Sequence, residues 1–107
     1  MIIDSHMHLI DTGCFDKPTY DALGQSIPAD TDIDQLVSWI GHCVCMGQDM
    51  QRIWHSEFGE IAVERAYEKY PEFFIPFCSV EPIDSAGRFC QKNYDYVERK
   101  ITECGYK

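Results

Sequence analysis

Short apolar runs alternating with stretches of helical periodicity restrict this chain to a narrow set of folds. The runs are Met1–Ser5, His42–Gln48 and Phe73–Val80, with Tyr106-Lys107 opening a fourth. The second is apolar almost throughout, as a strand covered on both faces should be, rather than alternating. Strands separated by helices read as βα units feeding a parallel sheet. The expected class is therefore α/β, with three βα units and the beginning of a fourth strand.

The helices are placed by face and by cap. Ile33, Leu36, Val37 and Ile40 share one side of a helix over 32–40, with Thr31 as the expected N-cap and Gly41 as the stop. A second helix is expected over 57–70, with Phe58, Ile61, Ala62 and Ala66 as its buried stripe and Pro71 beyond its end. A third is expected over 85–104, capped by Asp84 and ended at Gly105. Leu9 to Ala29, broken by Gly13, Pro18, Gly24 and Pro28, reads as one long loop, and loops of that length are usually functional. Pro76 conflicts with its strand, because proline cannot donate to a ladder; a bulge is expected there.

The chain has 107 residues and a net charge of -9, from 18 acidic and 9 basic side chains. That balance opposes nucleic acid and anionic membrane as partners, since both require a positive face. Met1-Ile2-Ile3-Asp4 lacks the basic leader of a signal peptide, and no apolar stretch approaches a membrane span. A cytoplasmic protein is expected. Six cysteines, at 14, 43, 45, 78, 90 and 104, lie mostly inside apolar runs and read as reduced, buried thiols. His42-Cys43-Val44-Cys45 places metal-ligating types together, but buried core cysteine is the better reading.

Chemistry concentrates in Asp4-Ser5-His6-Met7-His8. Two histidines at i and i+2 on extended backbone point the same way, so His6 and His8 can converge on one ion. They follow the first strand at its C-terminal end, where parallel barrels carry their active face. A bare His-x-His is a weak motif, and two histidines on an exposed turn are the plain alternative. Asp4 could orient a histidine ring or simply bond backbone at the strand end. Gln48, Asp49 and Arg52 follow the second strand on the same presumed face. Arg52, with Gln48, could hold a substrate carboxylate; an ordinary solvated loop is the alternative. Trp54 and His55 lie just beyond; His55 could line the site, but a surface or satisfied histidine is the better reading.

Three segments in order resemble the amidohydrolase superfamily, in its amidohydrolase-related branch. Ile2-Ile3-Asp4-Ser5-His6-Met7-His8-Leu9 is similar to the branch's opening. The run from Ala66 to Pro82 resembles its helix, Lys-Tyr-Pro and strand segment, proline included. Ile101 to Lys107 is similar to its run into the fourth strand. The resemblance implies the first three βα units of a (β/α)₈ TIM barrel, truncated before the fourth strand, with 1–107 as the N-terminal part of one barrel domain. Such a barrel needs about 250 residues. It also implies a metal-dependent hydrolase, or a decarboxylase of small carboxylic acids, using a divalent metal, with zinc expected. His6 and His8 would be ligands, and the acidic residue and remaining ligands would come from strands this chain lacks. The chain alone is then expected to be inactive. An open edge on the third strand would invite self-association into a homo-oligomer. The contrasting reading is a non-catalytic fragment or small metal-binding module.

Overall fold

The computed structural model describes residues 2–48, 58–84 and 86–107. Its elements in chain order are β1 (Ile3–Met7), a 3-10 turn (Thr12–Cys14), α1 (Lys17–Leu23), α2 (Ile33–Trp39), β2 (His42–Met46), α3 (Phe58–Lys69), β3 (Phe74–Phe77) and α4 (Gln91–Glu103). The three strands pair in sequential order, β1-β2-β3, and both pairings are parallel.

Apolar spacing builds the core on one side of this sheet. Cys43, Cys45, Phe74 and Pro76 are buried, while Val44, Met46, Ile75 and Phe77 between them are half-buried. The buried set meets Ala62, Val63 and Ala66 of α3, with Leu9, Phe73 and Tyr106 completing the cluster. Ile33, Leu36, Val37 and Ile40 of α2 pack against it. Helix α4 lies alongside α3, joined by the Tyr96 hydroxyl to Glu60 at 2.9 Å and Lys100 to Glu64 at 3.1 Å.

Several expectations are revised. The β1 strand runs to Met7 and so contains His6, rather than ending at Ser5. The segment after Leu9 is not one loop: it holds the 3-10 turn and α1. Asp16 caps α1 by accepting the Thr19 N–H, Pro18 fits its first turn, where a missing N–H costs nothing, and Gly24 closes it at φ 58°. Asp32, not Thr31, caps α2, accepting the Gln35 N–H at 2.9 Å. Thr31 Oγ1 instead takes the Ile10 N–H at 2.9 Å. In α3 the buried stripe includes Val63 and Glu60, and Ile61 is on the outside. Helix α4 begins at Gln91, because Asp84 folds a local turn instead of capping a helix, accepting the Ala86 and Arg88 N–H groups at 2.8 and 3.0 Å.

Pro76 causes no bulge: the β2–β3 register runs evenly through Cys45↔Pro76. The Phe73 and Phe77 carbonyls face β2, accepting Cys43 N–H at 3.1 Å and Gly47 N–H at 2.8 Å. Pro76 lies in the opposite phase. Its carbonyl accepts Lys107 N–H at 3.0 Å, so its missing donor faces away from β2. The irregularity lies in β1, where Asp4 pairs with Cys43 and Met7 with Cys45. Three steps along β1 against two along β2 place one extra residue beside the histidines.

Candidate metal centre

The extra residue sits where a bulge can re-aim a side chain. His6, in β1, and His8, one residue past it, bring their Nε2 atoms to 3.2 Å, with the rings edge-on at 81°. Two nitrogens bound to one zinc at about 2.0–2.1 Å with tetrahedral angles would lie about 3.3 Å apart. The observed separation fits that edge, and it equally fits one ring N–H donating to the other nitrogen. His8 Nδ1 lies 3.2 Å from the Met46 carbonyl oxygen. A carbonyl only accepts, so this bond places the proton on Nδ1 and leaves the Nε2 lone pair turned toward His6.

The described residues offer no complete donor set near the pair. Among the described residues, no three His, Cys, Asp or Glu side chains gather as a metal site. Asp4 uses Oδ1 to accept the His6 backbone N–H at 3.0 Å, which is the strand-end role open to it. Gln48 follows β2 at the same end of the sheet and is half-buried. Asp49, Arg52, Trp54 and His55 lie outside the described residues.

One group at this end carried no signal in the sequence. Glu60 is a buried carboxylate at the start of α3. Oε1 accepts the Ser79 backbone N–H at 2.6 Å, just past β3, and Oε2 accepts the Tyr96 hydroxyl at 2.9 Å from α4. Burial, followed by the nearby Glu60 charge, pushes the Tyr96 phenol upward. Gly47 lies directly against this carboxylate, and a Cβ there would overlap it. A glycine at 47 and a long acid at 60 are therefore matched in shape.

The chain leaving the histidines is tied down by Asp11. Its carboxylate accepts Gly13 N–H at 2.9 Å, the Cys14 thiol at 3.1 Å and Arg65 of α3 at 3.1 Å. Burial works against its ionisation, but these bonds outweigh it and hold the carboxyl below its usual range. Burial and Asp11 together push the Cys14 thiol up to about 12. A cleft of about 160 Å³ beside this knot is lined by Leu9, Asp11, Asp30, Thr31 and Arg65.

All six cysteines carry free thiols. Cys43 and Cys45 are fully buried, and burial pushes them to about 11 and about 12, so neither supplies a thiolate near neutral pH. Among the described residues no helix is long and apolar enough to cross a membrane. Comparison with family models, curated proteins and solved structures finds no match.

Proposed function

We propose that this chain is the N-terminal part of a metal-dependent amidohydrolase-type barrel enzyme, with His6 and His8 as two of its metal ligands. The reaction would be hydrolysis of a C–N or C–O bond, or decarboxylation of a small carboxylic acid. The observation that carries this reading is the convergence of two imidazole nitrogens, 3.2 Å apart, at the C-terminal end of the first strand of a parallel sheet. Sequential strand order with the described core helices gathered on one face favours a barrel segment over a doubly wound sheet, whose helices cover both faces. The Lys107 bond to Pro76 favours a fourth parallel strand beginning at Tyr106.

Within that site the roles of this chain's own groups are limited and specific. His8, protonated on Nδ1 by its bond to Met46, would present Nε2 as a ligand. His6 would carry its ring proton on Nδ1 and present Nε2 as the second ligand. A bound divalent ion, zinc by expectation, would supply Lewis acidity toward a carbonyl or an activated water. Gln48 and Arg52 remain the proposed contacts for a substrate carboxylate.

A second reading is favoured by the absence, among the described residues, of a third ligand. On that reading the 107-residue chain by itself is a non-catalytic fragment or small metal-binding module. Zinc titration of the chain, with His6→Ala and His8→Ala controls, tests the metal assignment. The expected result is weak binding, abolished by either substitution, and no turnover on ester, amide or aromatic-acid substrates. Binding indifferent to both substitutions would overturn the assignment. Tight stoichiometric zinc on a stable monomer would favour the module.

A further inference from the structure

We infer that Glu60 is a positioning residue for His8, acting through the Met46–Gly47 peptide group. The inference rests on the metal reading for its purpose, though not for its geometry. One rigid, planar peptide unit carries both the Met46 carbonyl and the Gly47 N–H. The carbonyl takes the His8 Nδ1 proton at 3.2 Å, while the N–H donates to Phe77 of β3 at 2.8 Å. Any tilt of that plane breaks one bond or the other and frees the His8 ring to turn.

Glu60 closes the remaining freedom. Its carboxylate lies against the Gly47 Cα, where even a methyl group would not fit. The carboxylate is itself held by the Ser79 N–H, just past β3, and by the Tyr96 hydroxyl of α4. The carboxylate therefore acts as a wedge between the ends of β2 and β3. It keeps the Met46 carbonyl aimed at Nδ1, and so keeps His8 in the tautomer whose Nε2 faces His6. Groups that fix the tautomer of a metal-binding histidine are worth about 10- to 100-fold in metal affinity.

The test reads the tautomer directly, without metal, by ¹⁵N NMR of the imidazoles at about pH 8.5, well above the ordinary imidazole pKa of about 6.5. The intact chain is expected to show His8 protonated on Nδ1 alone. Glu60→Gln, which keeps the shape and the acceptor for Ser79, should retain that pattern. Glu60→Ala and Glu60→Asp, which withdraw the wedge, should show a mixture of tautomers while the backbone amide spectrum stays dispersed. If Glu60→Ala fails to fold, Glu60→Asp decides. A folded Glu60→Ala or Glu60→Asp chain with an unchanged His8 tautomer, or an intact chain protonated mainly on Nε2, overturns the proposal. Co²⁺ titration of the same proteins separates it from the metal reading. A tenfold or greater loss of Co²⁺ affinity in Glu60→Ala supports both. An intact chain with the expected tautomer and no histidine-dependent Co²⁺ binding would leave the positioning role standing and remove the metal assignment.

Discussion

Replacing Tyr106 by phenylalanine should make the protein more stable. Tyr106 is 3% exposed, and its hydroxyl has no hydrogen-bond partner among the described residues. In the unfolded chain that hydroxyl is bonded to water, so folding strips it of a partner and returns none. Such a loss costs about 1–3 kcal/mol. The upward push on the phenol, caused first by burial, has the same origin. Phenylalanine keeps what the ring contributes: the edge contact with Tyr67 at 5.9 Å and the Lys100 ammonium 4.6 Å from its centroid. Removing the oxygen should therefore recover about 1–3 kcal/mol, less a few tenths for the small void. For a chain of this size that is a rise in Tm of roughly 4–12 °C, at about 4–5 °C per kcal/mol. Urea unfolding of Tyr106→Phe against the parent, at equal m-value, measures it. Tyr106→Leu serves as the contrasting variant and should destabilise, because it discards the ring contacts along with the hydroxyl. A Tyr106→Phe chain that loses stability would mean the hydroxyl has a partner, and would refute the placement of this residue in the core.

Other perturbations separate specific contacts. Gly47→Ala should destabilise the parent by displacing the Glu60 carboxylate from its Ser79 and Tyr96 bonds, and should cost less in a Glu60→Ala background; a double-mutant cycle in denaturant should give a coupling of about 1–3 kcal/mol, and additivity would contradict the close packing of the two residues. Asp32→Ala should cost about 1 kcal/mol as the loss of an N-cap, read as a lower urea midpoint. Cys43 and Cys45, raised to about 11 and about 12, hold protons that an unfolded thiol of pKa near 9 releases. Stability should thus be intact below about pH 9 and fall as pH climbs to these values, by up to about 1.4 kcal/mol per unit for each thiol; Cys45→Ala should flatten that slope, and an unchanged slope would argue that the thiol is not responsible.

What the sequence disclosed follows from how far apart the interacting residues are. The three strands were readable because each is a compact apolar run, and the histidine pair because its geometry is set within three consecutive residues. Helix α1 was hidden by its own punctuation. Pro18 and Gly24 read as breakers, whereas they occupy the two helix ends that favour them, with Asp16 as the cap. Asp84 has the composition of a cap and spends its oxygens on a turn. Glu60 was out of reach for a different reason: its partners stand 19 and 36 residues away, and an acid in the first turn of a helix is ordinarily a solvated one.

Pro76 shows how a local conflict can encode a long-range instruction. Inside a strand it forfeits a donor, and an even register along β2 leaves only the far edge to absorb the loss. That edge then offers the Pro76 carbonyl with no neighbouring N–H of the same residue. A strand settling there must donate at this point, as Lys107 does. A foreign strand needing both bonds from residue 76 is disfavoured, which blunts an edge that would otherwise invite self-association. Tyr106, buried one residue earlier against α3, fixes which way the incoming segment faces, because a slip of one residue would turn its ring out of the core. Edge chemistry and core burial thus specify the same placement, which is why the segment after α4 docks beside β3.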